Sequence, residues 1–225
     1  MKRFGKLIAI LLALTLLFSL AACSGSSSSA AGGSITGKWT CSFDTFKLVD
    51  FAWNSTTHSS DEQRIYDLCE IMCKNVSISM VLTLNEDNTC SIAMDEASMR
   101  TAVDGMIKNT HNNIMECMSI ITGLSQSELR AQMAEKGMTE ADLQAALDQQ
   151  FDASAMLEGM TMEEQTGTYT YENGKLVITD KSGTRETWTV SLNGNTLKVT
   201  DIDSASADST GAMMKEMLLP MVFKK

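Results

Sequence analysis

The sequence predicts an α+β protein in which about eight short strands, joined mostly to their sequence neighbours, are interrupted by a helical insertion. Three observations support this class. Apolar and polar residues alternate on both sides of the middle of the chain, with the period of half-buried strands. Two Asn-Gly pairs separate such runs and indicate tight hairpins. Residues 95–165 lack the alternation and show helical spacing instead.

The first group of strands precedes residue 95. Residues 35–43 alternate and are predicted to form the first strand. A helix is predicted over residues 59–75, behind a start signal made of a hydroxyl and an acid. Residues 76–84 and 90–94 alternate on either side of the polar turn 85–88, which predicts a hairpin.

The strand pattern returns after residue 165. Four strands are predicted to flank the two Asn-Gly pairs, at residues 167–171, 175–179, 184–191 and 196–200. Trp188 shares a strand face with Glu186, Val190 and Leu192 and is predicted to point inward. A last short strand over residues 219–224 tolerates Pro220 because proline is accepted at a first or edge position.

Residues 97–164 are predicted to be the helical insertion. An apolar stripe predicts one long helix that ends at Gly123. Two shorter helices are predicted to follow, with Ser125 and Thr139 as their N-cap residues. An acid lies three residues after each N-cap, and an apolar residue lies one position before it and four positions after it. The insertion is rich in methionine, which fills irregular gaps in a core and also builds adaptable binding surfaces.

The N-terminal residues indicate an exported lipoprotein. A positive segment precedes an apolar stretch over residues 7–20, which is roughly 20 Å long as a helix and shorter than the ~30 Å hydrocarbon core. It is typical of a cleaved signal peptide over residues 1–22. Leu20-Ala21-Ala22-Cys23 resembles the lipobox of bacterial lipoproteins. The resemblance implies cleavage before Cys23 and acyl chains, such as palmitate, that anchor the protein on the extracytoplasmic face of the cell membrane. The alternative is an ordinary secretory signal followed by a chance cysteine.

Composition restricts the partners of the processed chain. Residues 23–34 are rich in Ser, Gly and Ala, which predicts a flexible tether. Residues 1–22 hold 3 of the 18 basic residues and none of the 28 acidic ones, so the processed chain has a net charge of −13. Nucleic acid is therefore not an expected partner. Anionic headgroups would repel the domain, so lipid on Cys23 is expected to make the membrane contact.

The cysteines do not indicate a complete disulfide framework. Five of them follow Cys23, which is an odd number, at Cys41, Cys69, Cys73, Cys90 and Cys117. The sequence does not decide whether Cys41 and Cys90 form a disulfide bond. Both lie on apolar faces of predicted strands, where a cysteine acts as a small hydrophobic residue.

No catalytic, metal or cofactor site is predicted. Cys69 and Cys73 lie one helical turn apart but lack further nearby His or Cys ligands. His111, Met115 and Met118 share a helix face with soft-ligand spacing, but an apolar stripe is expected there in any case. The two histidines of the chain leave little scope for a Ser-His-Asp arrangement. The sequence also lacks a nucleophile elbow, a phosphate loop, a dinucleotide fingerprint and a zinc-protease helix.

Two parts of the chain resemble lipocalins. Gly37-Lys38-Trp39 resembles their G-x-W signature, and residues 167–201 are similar to the lipocalin-like domains of small bacterial lipoproteins. The resemblance implies an antiparallel up-and-down barrel, or a curled sheet, that Trp39 closes at one end. Lipocalins pair this Trp with an Arg on the last strand, where this chain offers Lys224 and Lys225. A small barrel can be filled by its own side chains; if it holds a ligand instead, the expected lining residues are Trp39, Phe43, Tyr169 and Trp188.

These observations predict a lipocalin-like β domain over residues 35–96 and 165–225, with the helical insertion over residues 97–164 between its two parts. We expect a non-catalytic role, in which the protein binds a protein partner or a small apolar ligand at the cell surface. One alternative is chaperone-like holding of peptides by the methionine-rich insertion. A second is a hydrolase whose site the sequence does not reveal.

Overall fold

The computed structural model describes residues 34–54, 59–150, 157, 164–204, 215 and 218–225. The signal peptide, Cys23 and the tether up to residue 33 lie outside the described residues. Within the described part the strands are β1 (Gly37–Asp44), β2 (Ser77–Leu84), β3 (Thr89–Met94), β4 (Gln165–Glu172), β5 (Lys175–Asp180), β6 (Arg185–Asn193), β7 (Thr196–Ser204) and β8 (Met221–Lys224). The helices there are α1 (Thr45–Asn54), α2 (Ser60–Met72), α3 (Glu96–Asn112), α4 (Ile114–Thr122), α5 (Gln126–Glu135) and α6 (Glu140–Gln150).

The strands form a closed antiparallel barrel in chain order. β8 completes the barrel by pairing with β7 on one side and with β1 on the other, where Thr40 lies opposite Lys224. The predicted α+β class with an antiparallel barrel is therefore confirmed, and the sheet is closed rather than merely curled. Because neighbouring strands alternate in direction, the β2–β3, β4–β5 and β6–β7 turns lie at one end, which we name the turn end. The other connections leave from the opposite end, which we name the loop end.

Both Asn-Gly hairpins are confirmed. Asn173 and Gly174 have φ angles of 50° and 73°, as a two-residue turn between β4 and β5 requires. The second hairpin also forms, but Asn193 is still in β6 and pairs with Thr196, so its two turn residues are Gly194, with φ 56°, and Asn195. The polar turn between β2 and β3 also forms, and Leu84 pairs with Cys90 across it. Local turn chemistry therefore sets the register of these strand pairs.

The chain divides into two compact units. The helical unit contains the helices that precede β2 in the sequence and those that follow β3. Its described part covers residues 43–54, 59–78, 96–150 and 157, whereas the barrel unit contains the remaining described residues. The boundary differs from the one drawn on the sequence, which assigned residues 43–78 to the β domain. Within the helical unit, Thr45 at the start of α1 is buried, and its hydroxyl donates to the Val76 carbonyl at 2.9 Å.

The prediction of one long helix ending at Gly123 is wrong, because the chain breaks between α3 and α4. Asn113 lies at the break with φ −123° and ψ 29°, outside the helical region. Its side-chain amide donates to the Asn109 carbonyl at 2.8 Å. Asparagine side chains compete in this way for backbone carbonyls and so favour helix ends over helix interiors. The predicted end at Gly123 is confirmed for α4, where this residue has a left-handed φ of 75°.

Helix α1 was not predicted from the sequence. Its start is an Asp cap, since Asp44 Oδ1 accepts hydrogen bonds from the backbone N–H groups of Phe46 and Lys47 at 2.9 and 3.3 Å. The two caps that were predicted in the insertion are confirmed. Ser125 forms a full capping box with its acid, and Thr139 and Asp142 exchange the corresponding pair of hydrogen bonds. Among the described residues, no helix combines the length and apolar character needed to cross a membrane.

Candidate functional site

The turn end of the barrel is closed by the signature tryptophan. Trp39 is 0% exposed, and its Nε1–H donates to the Ile35 carbonyl at 2.7 Å. The Lys225 ammonium lies 4.6 Å from the centroid of the Trp39 ring, in a cation–π contact. Lys225 therefore occupies the role that the lipocalin resemblance gives to an arginine. Gly37, with φ +127°, belongs to the same closure, because a Cβ there would lie only 2.9 Å from Lys225 Cε.

Next to this closure the interior of the barrel is filled. Five inward side chains from four strands are essentially inaccessible to water here, with at most 1% exposed: Leu82, Leu84, Leu176, Leu197 and Phe223. Trp188 lies next to them on the side of the loop end and is only 3% exposed, which confirms that it points inward. Its ring stacks on that of Phe223, with centroids 6.3 Å apart. This half of the barrel is therefore a packed core.

At the loop end the inward side chains differ in burial, since Met80 and Ile178 are buried whereas others are partly accessible. Five that are half-buried form a set that we name the loop-end cup: Ile92, Met94, Gln165, Glu186 and Ile202. Strand alternation places Ile92 and Met94 on the face of the buried Cys90, while Ile202 lies opposite Trp188 in the β6–β7 pair. The barrel is thus packed at the turn end and partly accessible at the loop end.

The space behind the cup is small. A void lined by Ile92, Gln165 and Ile178, among others, encloses about 10 Å³, which is near the minimum for a single water molecule. A ligand in this part of the barrel would therefore rest in the loop-end cup, without reaching deeper between the strands.

Glu186 supplies an ionisable group within the cup. Burial raises the pKa of Glu186 above its ordinary value of 4.5, and the negative charge of Asp180 raises it further. The Trp188 Nε1–H donates to Glu186 Oε2 at 3.0 Å, which lowers the pKa and partly opposes these effects. The net result favours a neutral carboxyl more than in water. Sequence reasoning placed Glu186 on the face of Trp188 without giving it a function, although an acid on an inward face is itself a signal.

The structure separates the four residues expected to line a ligand cavity. Trp39 belongs to the closure at the turn end. Tyr169 is 5% exposed, and its hydroxyl donates to the Asn85 carbonyl at 2.8 Å, so it is part of the wall. Phe43 is half-buried near the end of β1 and falls in the helical unit. Trp188 is the member of the four that lies directly beside the loop-end cup.

The thiols are protected by burial. The five cysteines after Cys23 are all free and buried, so the Cys41–Cys90 bridge that the sequence left open does not form. Burial raises the pKa of Cys69 to about 12 and that of Cys73 to about 11. Thiols in this state are poor nucleophiles and poor metal ligands.

The metal-ligand sets considered in the sequence do not converge. In the part of the chain that the structure describes, no group of three or more His, Cys, Asp or Glu is placed to hold a metal ion. His111 Nε2 lies 3.0 Å from Asp148 Oδ1 instead of facing a methionine. Met115 is buried in an apolar cluster with Ile114, and Met118 packs against that cluster.

One comparison with known proteins supports the class of this barrel. Residues 137–199 match the family model of a lipocalin-like domain, and this range contains α6 as well as β4, β5, β6 and the first part of β7. No curated protein and no solved structure matches the chain. The closed eight-stranded barrel, with a tryptophan and a cation closing one end, is consistent with the lipocalin-like class that this match indicates.

Proposed function

We propose that the protein is a non-catalytic binding protein that holds a small, largely apolar ligand in the loop-end cup of its barrel. The observation that carries this proposal is the change in burial along the strands. The inward side chains of Leu82, Leu176 and Phe223 are fully buried, whereas those of Ile92, Met94 and Ile202 at the loop end are half-buried, so the barrel offers some apolar surface to a ligand at that end.

The composition of the cup suggests the chemistry of the ligand. Ile92, Met94 and Ile202 offer apolar contacts, and methionine can adjust its shape to the ligand. Gln165 and Glu186 offer the polar contacts, and the raised pKa of Glu186 makes a neutral, hydrogen-bond-donating carboxyl more accessible. The best fit is a small apolar molecule that carries one or two hydrogen-bonding groups.

The proposal can be tested with N-phenyl-1-naphthylamine, a neutral apolar probe whose fluorescence rises on binding. Ile202→Trp would fill the cup opposite Trp188 and should weaken probe binding at least tenfold. Val222→Trp is the matched control, because Val222 is 40% exposed and faces outward from β8. Equal binding by Ile202→Trp and the wild type, with both folded by circular dichroism, would refute the cup as the site.

We also propose that the protein is anchored to the extracytoplasmic face of the cell membrane by lipid on Cys23. The support is the sequence from residue 1 to the lipobox, because these residues lie outside the described structure. Cys23→Ala should move the protein from the membrane fraction to the soluble extracytoplasmic fraction. Mass spectrometry of the native N-terminus should find acyl chains on Cys23, and an unmodified thiol there would contradict the proposal.

Peptide holding by the methionine-rich helices has less support. Met115 is buried with Ile114 and Leu129, and Met118 and Met133 pack against them. These methionines thus contribute to the core of the helical unit. A protein partner and a hydrolytic activity remain alternatives for which the described residues provide no specific geometry.

A further inference from the structure

The outer surface of the barrel carries a group of lysines on three neighbouring strands. Lys38 on β1, Lys224 on β8 and Lys198 on β7 are exposed and alternate with buried inward residues, so they point outward. Lys224 lies opposite Thr40 and Thr196, and each of the other two lysines is two positions from one of these partners. Such diagonal neighbours are about 7–8 Å apart. We name the surface formed by Lys38, Lys198 and Lys224 the basic face.

The charges of the basic face are not neutralised within the protein. Among the described residues, none of its three ammonium groups lies in an ion pair. The first acid beyond Lys198 on β7 is Asp201, and this carboxylate is paired with Lys215. The three lysines therefore remain free to attract an anionic partner.

Charge is distributed unevenly over the barrel. The acids of the turn end, at Glu86, Asp87 and Glu172, lie on the β2–β3 turn and at the end of β4, away from the three strands of the basic face. The loop end is acidic, because five acids accompany two basic residues there in the described barrel unit: Asp95, Glu164, Asp180, Glu186 and Asp203, with Lys181 and Arg185. The net charge of the whole chain therefore does not describe the basic face.

The N-terminal segment enters the fold beside the basic face. The Lys225 ammonium donates to the Ser34 carbonyl at 3.4 Å, and Lys225 directly follows Lys224. Cys23 precedes Ser34 by 11 positions. A Ser/Gly-rich segment of this length has an expected span of roughly 18 Å, so lipid on Cys23 would hold this end of the barrel near the headgroups.

We propose that the basic face rests on anionic lipid headgroups and thereby orients the anchored barrel with its loop end away from the bilayer. This inference depends on the proposed lipid on Cys23. Each lysine near an anionic surface strengthens binding about fivefold, so three lysines alone bind weakly. A short tether supplies a millimolar effective concentration, which allows such a weak contact to persist, while the acidic loop end is repelled.

The test uses the processed chain that begins at Cys23, coupled through the thiol of this residue to a maleimide-bearing lipid. The five later cysteines are buried and therefore protected from the reagent. The coupled protein is anchored on vesicles of phosphatidylcholine, with or without one-third phosphatidylglycerol. Acetylation by an N-hydroxysuccinimide ester, measured by mass spectrometry, then reports the accessibility of each lysine amine.

Lys38, Lys198 and Lys224 should react about threefold more slowly, or slower still, on the anionic vesicles than on the neutral ones. High salt should restore their reaction rates, because it screens the attraction. Lys181 is the internal control, since it is an exposed lysine of the barrel at the loop end, and its rate should not change.

A charge reversal tests the same contact through a different lysine. In the triple variant Lys38→Glu, Lys198→Glu, Lys224→Glu, the remaining Lys225 amine should lose its protection on anionic vesicles. The matched control reverses three exposed lysines of the helical unit, which gives the same change in net charge and should leave Lys225 protected: Lys47→Glu, Lys108→Glu, Lys136→Glu. Circular dichroism verifies that both variants are folded.

Several results would overturn the proposal. They are equal rates on the two kinds of vesicle, equal slowing of Lys181, and protection of Lys225 that survives the charge reversal. Slowing that appears without vesicles and grows with protein concentration would indicate contact with a second copy instead. Because the lipid is attached chemically, the orientation and the natural lipid on Cys23 are tested separately, and either proposal can fail without the other.

Discussion

Replacing the tryptophan that closes the barrel should measure how much the closure stabilises the fold. Trp39→Phe removes the Nε1–H that donates to the Ile35 carbonyl at 2.7 Å. Ile35 is itself buried, and leaving its acceptor unpaired costs about 1–3 kcal/mol. The smaller ring leaves a cavity on the order of 40 Å³, which adds about 1 kcal/mol. The free energy of unfolding should therefore fall by about 2–4 kcal/mol.

Urea unfolding followed by far-ultraviolet circular dichroism measures this change without relying on tryptophan fluorescence. Thermal melts should agree, because each 1 kcal/mol lowers the Tm of a domain of this size by about 2–4 °C. A loss below about 1 kcal/mol for Trp39→Phe would refute the reasoning, since the hydrogen bond and the packing would then not matter to the fold.

A second substitution separates the cation–π contact from the packing. Lys225→Met removes the ammonium 4.6 Å from the Trp39 ring and should cost about 0.5–1 kcal/mol, the usual range for an exposed cation. Lys224→Met is the matched control, since Lys224 is also an exposed lysine but is not in contact with this ring through an ammonium. If the two lysine variants unfold alike, Lys225 does not contribute to the closure through its charge.

Three further predictions concern titration and packing. Because the pKa of Glu186 is raised by burial, the contribution of Glu186 to stability should be complete below pH 4.5 and be lost as the pH rises through its folded-state pKa; in urea unfolding from pH 4 to 8, the difference in stability between the wild type and Glu186→Gln should show this loss. Iodoacetamide at pH 8 should leave Cys69 and Cys73 unlabelled in the folded protein but label both in urea, because their pKa values are about 12 and 11. Gly167→Ala should lower the Tm by several degrees, since its Cβ would overlap the Thr179 carbonyl oxygen.

The features that the sequence predicted well depend on neighbouring residues. The turn at Asn173 and Gly174 needs positive φ angles that these residue types adopt readily, so the hairpin could be recognised from the dipeptide. The caps at Ser125 and Thr139 likewise involve atoms only three residues apart. Alternation placed Trp188 on an inward face, where the structure finds it.

The features that the sequence did not predict depend on closure of the barrel or on competing local bonds. Asn113 interrupts an apolar stripe that reads as continuous, because its side chain bonds to a backbone carbonyl. The four candidate lining residues lie at different heights and in different units, and a linear pattern carries no information about height along a barrel. Glu186 could be recognised as a candidate binding residue only from the burial of its neighbours in the folded protein.

The short strand β8 has a consequence for truncated forms of the protein. Met221–Lys224 is hydrogen-bonded on both sides, to β1 and to β7. Loss of these four residues to a protease or an early stop codon would leave two long strands with unpaired backbone groups at once. Such edges pair readily with edges of other chains, so clipped molecules are expected to form aggregates, while the intact barrel offers no edge at which this assembly could start.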